Sequence, residues 1–427
     1  MNRIFIILSI LTALIGCTDS TEVEQYEYSS ATAPVKEVHP AATETVWSVY
    51  DPDPDHLWNR VFRQFFRRTT KDGKEYGADE LDPLLWFDTT YLLQGNSHEQ
   101  ALQVLDEFLT TYAENLIRDS LRRAMFQRDM WAVFDWLSFQ SDPYPSQRQA
   151  LKLRLAQIIK RVALTKDEIL SFPDNYQLAV DSNVFPSNYQ AEYPQEAFLP
   201  SDLFQPNSAW VPMGREGGPI AMAHTNSPPF LGRSVFLVFV RSPDGRSATL
   251  DFINGLNMEP QPLLVSGSDV ALVRRMLLID DQGNLVLSPL VETVQIRHFN
   301  PGQTFYEFEL DRERLLKGHT DTFNLKTDLL MLFFSHGDVF EFQNISSFEA
   351  TIPDICKACH VNNPAVFDRG NIQGILSYSR ANFPLLDNRQ PVLSETTWEN
   401  EAQIVTQWKI NHNTWRSLEA FWNETSP

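Results

Sequence analysis

Two thiols and an imidazole stand together in Cys356-Lys357-Ala358-Cys359-His360, and a third thiol, Cys17, closes an apolar leader. These are the three cysteines of a 427-residue chain, so none remains for a disulfide framework or a cysteine-rich zinc site. Sulfurs three residues apart lie about one helical turn from each other. At that spacing they can close a small disulfide, help to hold a metal, or both add to one two-armed electrophile. Zinc would need at least two further ligands, and no second CxxC or HxxxH accompanies the first. A thioredoxin-like dithiol would need a strand leading into the motif within a βαβ pattern, which the flanking sequence lacks.

The five residues match the CxxCH attachment site of c-type cytochromes, a resemblance that covers the motif and little else. It implies one covalent haem c, with Cys356 and Cys359 joined to its two vinyl groups as thioethers and His360 as the proximal iron ligand. Pro353 and Asp354 suit the first turn of a helix carrying the motif. In the familiar small cytochrome domain a methionine downstream of the motif supplies the second axial ligand, but this chain has no methionine after Met331. The sixth position therefore falls to a histidine, to an upstream methionine such as Met331 or Met213, to another group, or stays open. His412, the one downstream histidine, is the first candidate distal ligand. His336, in Phe334-Ser335-His336-Gly337-Asp338, is the second. Each has an ordinary alternative: His412 as a hydrogen-bonded core histidine, His336 as a solvated turn residue, and Met331 as core.

The leader agrees with this chemistry. Met1-Asn2-Arg3 is followed by thirteen uncharged residues, Ile4 to Gly16, too few to span a bilayer and suited to a signal peptide. Leu14-Ile15-Gly16-Cys17 resembles the bacterial lipobox, which implies cleavage before Cys17 and acylation of its thiol and freed amine. Several acyl chains make a stable membrane anchor. Thr18, where an aspartate would signal inner-membrane retention, points to the outer membrane, facing the periplasm or the cell surface. Residues 17–45 are rich in Ser, Thr, Glu, Ala and Pro and are expected to be a flexible tether.

Several elements must position the motif. Residues 46–173 carry helical signals: a capping box at Ser97 and Gln100 before Leu102, Leu105, Leu109, Tyr112 and Leu116; another at Ser146 and Gln149 before Leu151, Leu155, Ile158, Ile159 and Val162; a third at Thr165 and Glu168, stopped by Pro173. The aromatic run Met125 to Phe139 reads as core. Prolines and asparagines from 174 to 229 predict long loops, with the glycine-rich 213–218 as a turn. Strands are expected at Ser234–Val240, at Val270–Ile279 and Leu285–Leu287 as a hairpin, and at 291–299, 304–310 and 329–334. From Glu399 to Trp422 one helix places Ile404, Trp408, Trp415, Leu418 and Trp422 on a single stripe.

The expected fold is α+β: a helical N-terminal unit (46–173), a central β-rich unit, sandwich- or barrel-like, within 174–345, and a mainly helical C-terminal haem segment (346–427). With 43% apolar residues the chain can bury a sizeable core, and a net charge of −20 argues against nucleic acid as a partner. The expected function is electron transfer by an exported, lipid-anchored mono-haem protein with a redox protein partner. Two alternatives stand beside it. One is a peroxidase-like haem oxidoreductase with an open sixth iron position. The other is a haem-free surface lipoprotein that binds a ligand or partner.

Overall fold

The computed structural model describes residues 48–425, apart from 70–74, 78–89, 140–143, 194–195, 228–229, 259–261, 263, 301–303, 320–322, 326–329, 335–345 and 351–391. It is a mixed α+β fold of helices and a seven-stranded antiparallel sheet.

The helical part comprises α1 (Leu57–Phe66), α2 (Gly95–Thr110), α3 (Ser120–Phe139), α4 (Pro145–Arg161), α5 (Lys166–Leu170) and α6 (Asn175–Asp181), with a small hairpin of β1 (Arg67–Thr69) and β2 (Glu75–Gly77) after α1. Helix α3 is the hub. From Ala124 to Leu137 it is buried on every side, so Trp131, Phe134 and Trp136 are core, as their spacing predicts. Leu151, Leu155, Ile158, Ile159 and Val162 form the buried stripe of α4 and the residue after it. The box at Thr165 and Glu168 is realised in full: each side chain accepts the other's backbone amide.

The other two boxes are not used. Helix α2 begins at Gly95 after a 3-10 turn, Tyr91–Leu93, and the Ser97 hydroxyl turns back to the carbonyls of Tyr91 and Gln94. It ends at Thr110, and Tyr112, in the left-handed region, is exposed together with Leu116. Helix α4 starts at Pro145, whose fixed φ and missing N–H suit the first helical position.

The segment expected as loops contains β3 (Val211–Arg215) and α7 (Met222–Thr225). Part of the glycine-rich stretch is therefore strand, and only Gly217 and Gly218, at positive φ, make the turn. The strands β4 (Ser234–Arg241), β5 (Asp269–Ile279), β6 (Leu285–His298), β7 (Thr304–Leu310) and β8 (Phe323–Leu325) follow, with α8 (Arg246–Gly255) after β4 and α9 (Arg312–Leu316) after β7. The predicted hairpin is present, with Leu277 opposite Leu287, but Leu285 to His298 is one long strand whose pairing with β5 shifts register around Arg275. Strands β9 (Leu330–Phe334) and β10 (Ser346–Ala350) form a separate pair, and β11 (Leu393–Glu395) returns to the main sheet. The C-terminal run is two helices, α10 (Trp398–Asn411) and α11 (Asn413–Thr425), with His412 extended between them.

The main sheet has the order β11-β3-β4-β5-β6-β7-β8. It is open, and helices cover its faces; a closed barrel or a second large sheet is not among the described pairings. Alternation sorts its residues. Val235, Leu237, Phe239, Ala271, Val273, Val294 and Ile296 join the helical part in one large core, whereas Phe236, Val238, Val240 and Val270 face a smaller core with Ile220, Phe252, Ile253 and Leu256. Burial on both faces explains why β4 reads as an unbroken apolar run. Two buried amides fasten helices to strand backbone. Gln127 of α3 both donates to and accepts from Ile279, and Asn175 of α6 does the same with Val291. The large core continues past residue 173, since Val162, Leu164 and Phe172 share it with Leu277, Ile279 and Val286.

Candidate functional site

Of the residues with the chemistry set out above, Cys17, His336, Cys356, Cys359 and His360 lie outside the described residues. Met331 is placed by its backbone in β9, opposite Glu349 of β10. Met213 is a buried strand residue packed in the smaller core. His412 is described, and its surroundings include the buried ionisable groups Lys409 and Asp135.

His412 joins α10 to α11. Its backbone is in the β region, its carbonyl accepts the Arg416 amide, and its Nδ1 accepts the Thr414 amide at 3.3 Å. That is a helix N-cap made by an imidazole in place of the commoner hydroxyl or carboxylate. The ring packs at 4.8 Å from Trp408, and the Thr414 hydroxyl lies 3.0 Å from Nδ1. Because the Thr414 hydroxyl oxygen already accepts from Lys409 Nζ at 2.9 Å, its proton is free to point at Nδ1. With Nδ1 accepting, the neutral ring carries its proton on Nε2, the opposite of the tautomer that binds a metal through Nε2. Burial pushes the imidazole down to about 4, and the Lys409 charge pushes the same way. His412 is therefore neutral at pH 7 and occupied as a cap.

One turn earlier, Lys409 is fully buried. Its ammonium donates to Asp135 of α3 at 2.6 Å, to the Leu231 carbonyl at 2.8 Å and to Thr414, so its three protons are used. Burial lowers it to about 8 in spite of Asp135. Asp135 also accepts from Arg233, just before β4, at 3.0 Å. Further along α3, Arg128 donates to Ser234 at 2.7 Å and to Glu292 of β6 at 3.1 Å, and Asp129 accepts from Arg312 of α9 at 3.0 Å and from the Tyr50 phenol. Three charges on one buried helix thus each meet an opposite charge from a different element. The arrangement can hold helix, sheet and C-terminal helices in one register, since breaking a buried pair leaves an uncompensated charge.

This cluster was legible in part. Arg128, Asp129 and Asp135 interrupt an otherwise aromatic run, and a charge inside a buried helix demands a partner. The partners are far away in sequence and carried no signal. Lys409 and Glu401 were missed because the apolar stripe placed Ile404 and Trp408 inward, whereas α10 buries Glu401, Ala402, Val405 and Lys409. Trp415 and Leu418, with Phe421 and Trp422, are the buried face of α11, and they meet Trp131 and Phe134 across ring distances of 5.9 Å.

Among the described residues no group of three or more His, Cys, Asp or Glu side chains is placed to hold a metal ion, and no helix is long and apolar enough to cross a membrane. The chain matches no family model, no curated protein and no solved structure.

Proposed function

We propose that this protein is an exported, lipid-anchored c-type haem protein that passes single electrons to or from a partner redox protein in the periplasm or at the outer membrane. The observation that carries the reading is Cys356-Lys357-Ala358-Cys359-His360 in a chain whose one other cysteine, Cys17, ends a lipobox-like leader. The donor set fits the group: two thiols at the spacing of two vinyl arms, and an imidazole beside the second thiol to face the iron. Bound there, haem supplies one-electron redox chemistry. Cys356 and Cys359 hold it covalently, His360 orients it, and Cys17 carries the acyl chains. In this reading the helical unit (46–173) and the β-rich unit (174–345) form the body on which the C-terminal haem segment (346–427) is mounted.

A second reading is favoured by one observation: His412 uses Nδ1 as a helix cap, accepting the Thr414 amide. That supports a sixth position filled from elsewhere or open, and an open position suits a haem oxidoreductase or a small-molecule sensor. The visible spectrum of the exported protein tests both. Haem absorbance reduced by one electron per chain and indifferent to carbon monoxide is expected for the carrier. A reduced spectrum that shifts with carbon monoxide selects the enzyme or sensor, and absence of haem absorbance overturns both in favour of a haem-free lipoprotein.

A further inference from the structure

Glu401 stands where α10 meets the edge of the main sheet. It is 1% exposed. Its Oε1 accepts the Ile220 amide at 2.7 Å, while Oε2, also buried, accepts no hydrogen bond among the described residues. Gly214 of β3 lies beside it: a Cβ there would crowd Thr396 at 3.1 Å and touch Oε2 at an ordinary contact distance of 3.6 Å. The charge that acts on Glu401 is the half-buried Arg215 guanidinium of β3. Of the other charged groups on these elements, Glu216 after β3, Glu399 in the first turn of α10 and Glu395 of β11, which pairs with Arg246, are exposed, while the buried Lys409 of α10 and the partly buried Arg241 of β4 are paired with Asp135 and Asp269 respectively. Among the described residues no second hydrogen-bond donor is placed to satisfy a full negative charge, and burying a charged carboxylate without its partners is costly.

We propose that Glu401 is a proton-operated latch: protonated, it holds α10 and the Ile220 turn against β3, and on losing its proton it draws in water and loosens that edge of the sheet. Burial, opposed by the Ile220 hydrogen bond and by Arg215, raises the carboxyl to about 7, which places the change near neutrality. The sign follows from linkage. A carboxyl raised in the folded state contributes stability that is complete below its unfolded value of about 4.5 and is lost as pH rises through about 7. The latch is closed in mild acid and is open by neutrality and above.

Hydrogen exchange on the full-length protein between pH 5.5 and 8.5, corrected for the intrinsic rate, tests this. The Ile220 amide and the 393–405 segment should lose protection by about tenfold for each pH unit from 5.5 up to about 7 and level off above it, while the β5–β6 pairing does not change. Glu401→Gln, which imitates the protonated acid, should hold protection constant across the range. Equal protection of the wild type at both ends, or an unchanged slope in Glu401→Gln, overturns the proposal. Should that variant fail to fold, the carboxyl carbon resonance of Glu401 in the wild type decides: a midpoint near 7 supports the latch, and one near 4.5 refutes it.

Discussion

His56 and His412 cap their helices in the same way, each extended and each accepting with Nδ1 the amide two residues on, from Trp58 and Thr414 respectively. Caps of this kind are hard to see in sequence because histidine is not among the usual cap residues. Thr165 was legible because its partner Glu168 is fixed by spacing alone; Ser97 misled because its hydroxyl is claimed by carbonyls of the preceding turn. For His412 the consequence is a pH dependence. Its folded value lies below the ordinary one, so its contribution to stability is present above about pH 6.5 and is lost as pH falls towards 4. His412→Asn retains a capping side chain without a titrating ring. Urea unfolding should show the wild type weakening between pH 7 and 4.5 more steeply than the variant, and the visible spectrum of the haem-loaded variant should equal that of the wild type. Equal slopes refute the buried-cap account, and a change of iron spin state would return His412 to the distal position.

At the scale of elements, the C-terminal helices show why a stripe can be read correctly over half its length. Trp415, Leu418 and Trp422 are buried, but the phase they set does not carry across the break at His412, and α10 turns Val405 and Lys409 inward in place of Ile404 and Trp408. The signal for the break was present in Asn411-His412-Asn413-Thr414, where Asn411, Asn413 and Thr414 are cap-forming types and neither glycine nor proline occurs. The buried Lys409 then needs Asp135, and Asp135 needs both cations. Asp135→Asn takes from Lys409 its carboxylate partner and should cost about 3–5 kcal/mol of unfolding free energy. The double variant Asp135→Asn with Lys409→Met removes one stranded charge and should recover part of that loss. Chemical denaturation of the two single variants and the double measures the coupling, and strictly additive losses would show that the 2.6 Å pair contributes nothing specific.

At the scale of the whole molecule, the class of fold was legible and its assembly less so. The apolar run Val235–Val240 between turn residues and the turn at Asp280–Gly283 located central strands, because strand composition and turn chemistry are local properties. The joining of β11 to β3, 178 residues apart at the Leu393–Arg215 pair, is a long-range pairing that no local pattern encodes. The CxxCH motif is the reverse case, complete in five adjacent residues, so the chemistry proposed for it rests on sequence without the fold. The central claim is that one haem is covalently bound to one lipid-bearing chain. Intact mass spectrometry of the mature protein, from cells that attach haem to other c-type cytochromes, tests it directly. The mass should equal the chain from Cys17 onward plus its acyl groups plus one haem, and replacing both Cys356 and Cys359 by serine should remove the haem increment alone. A wild-type mass equal to chain and lipid with no haem would contradict the account.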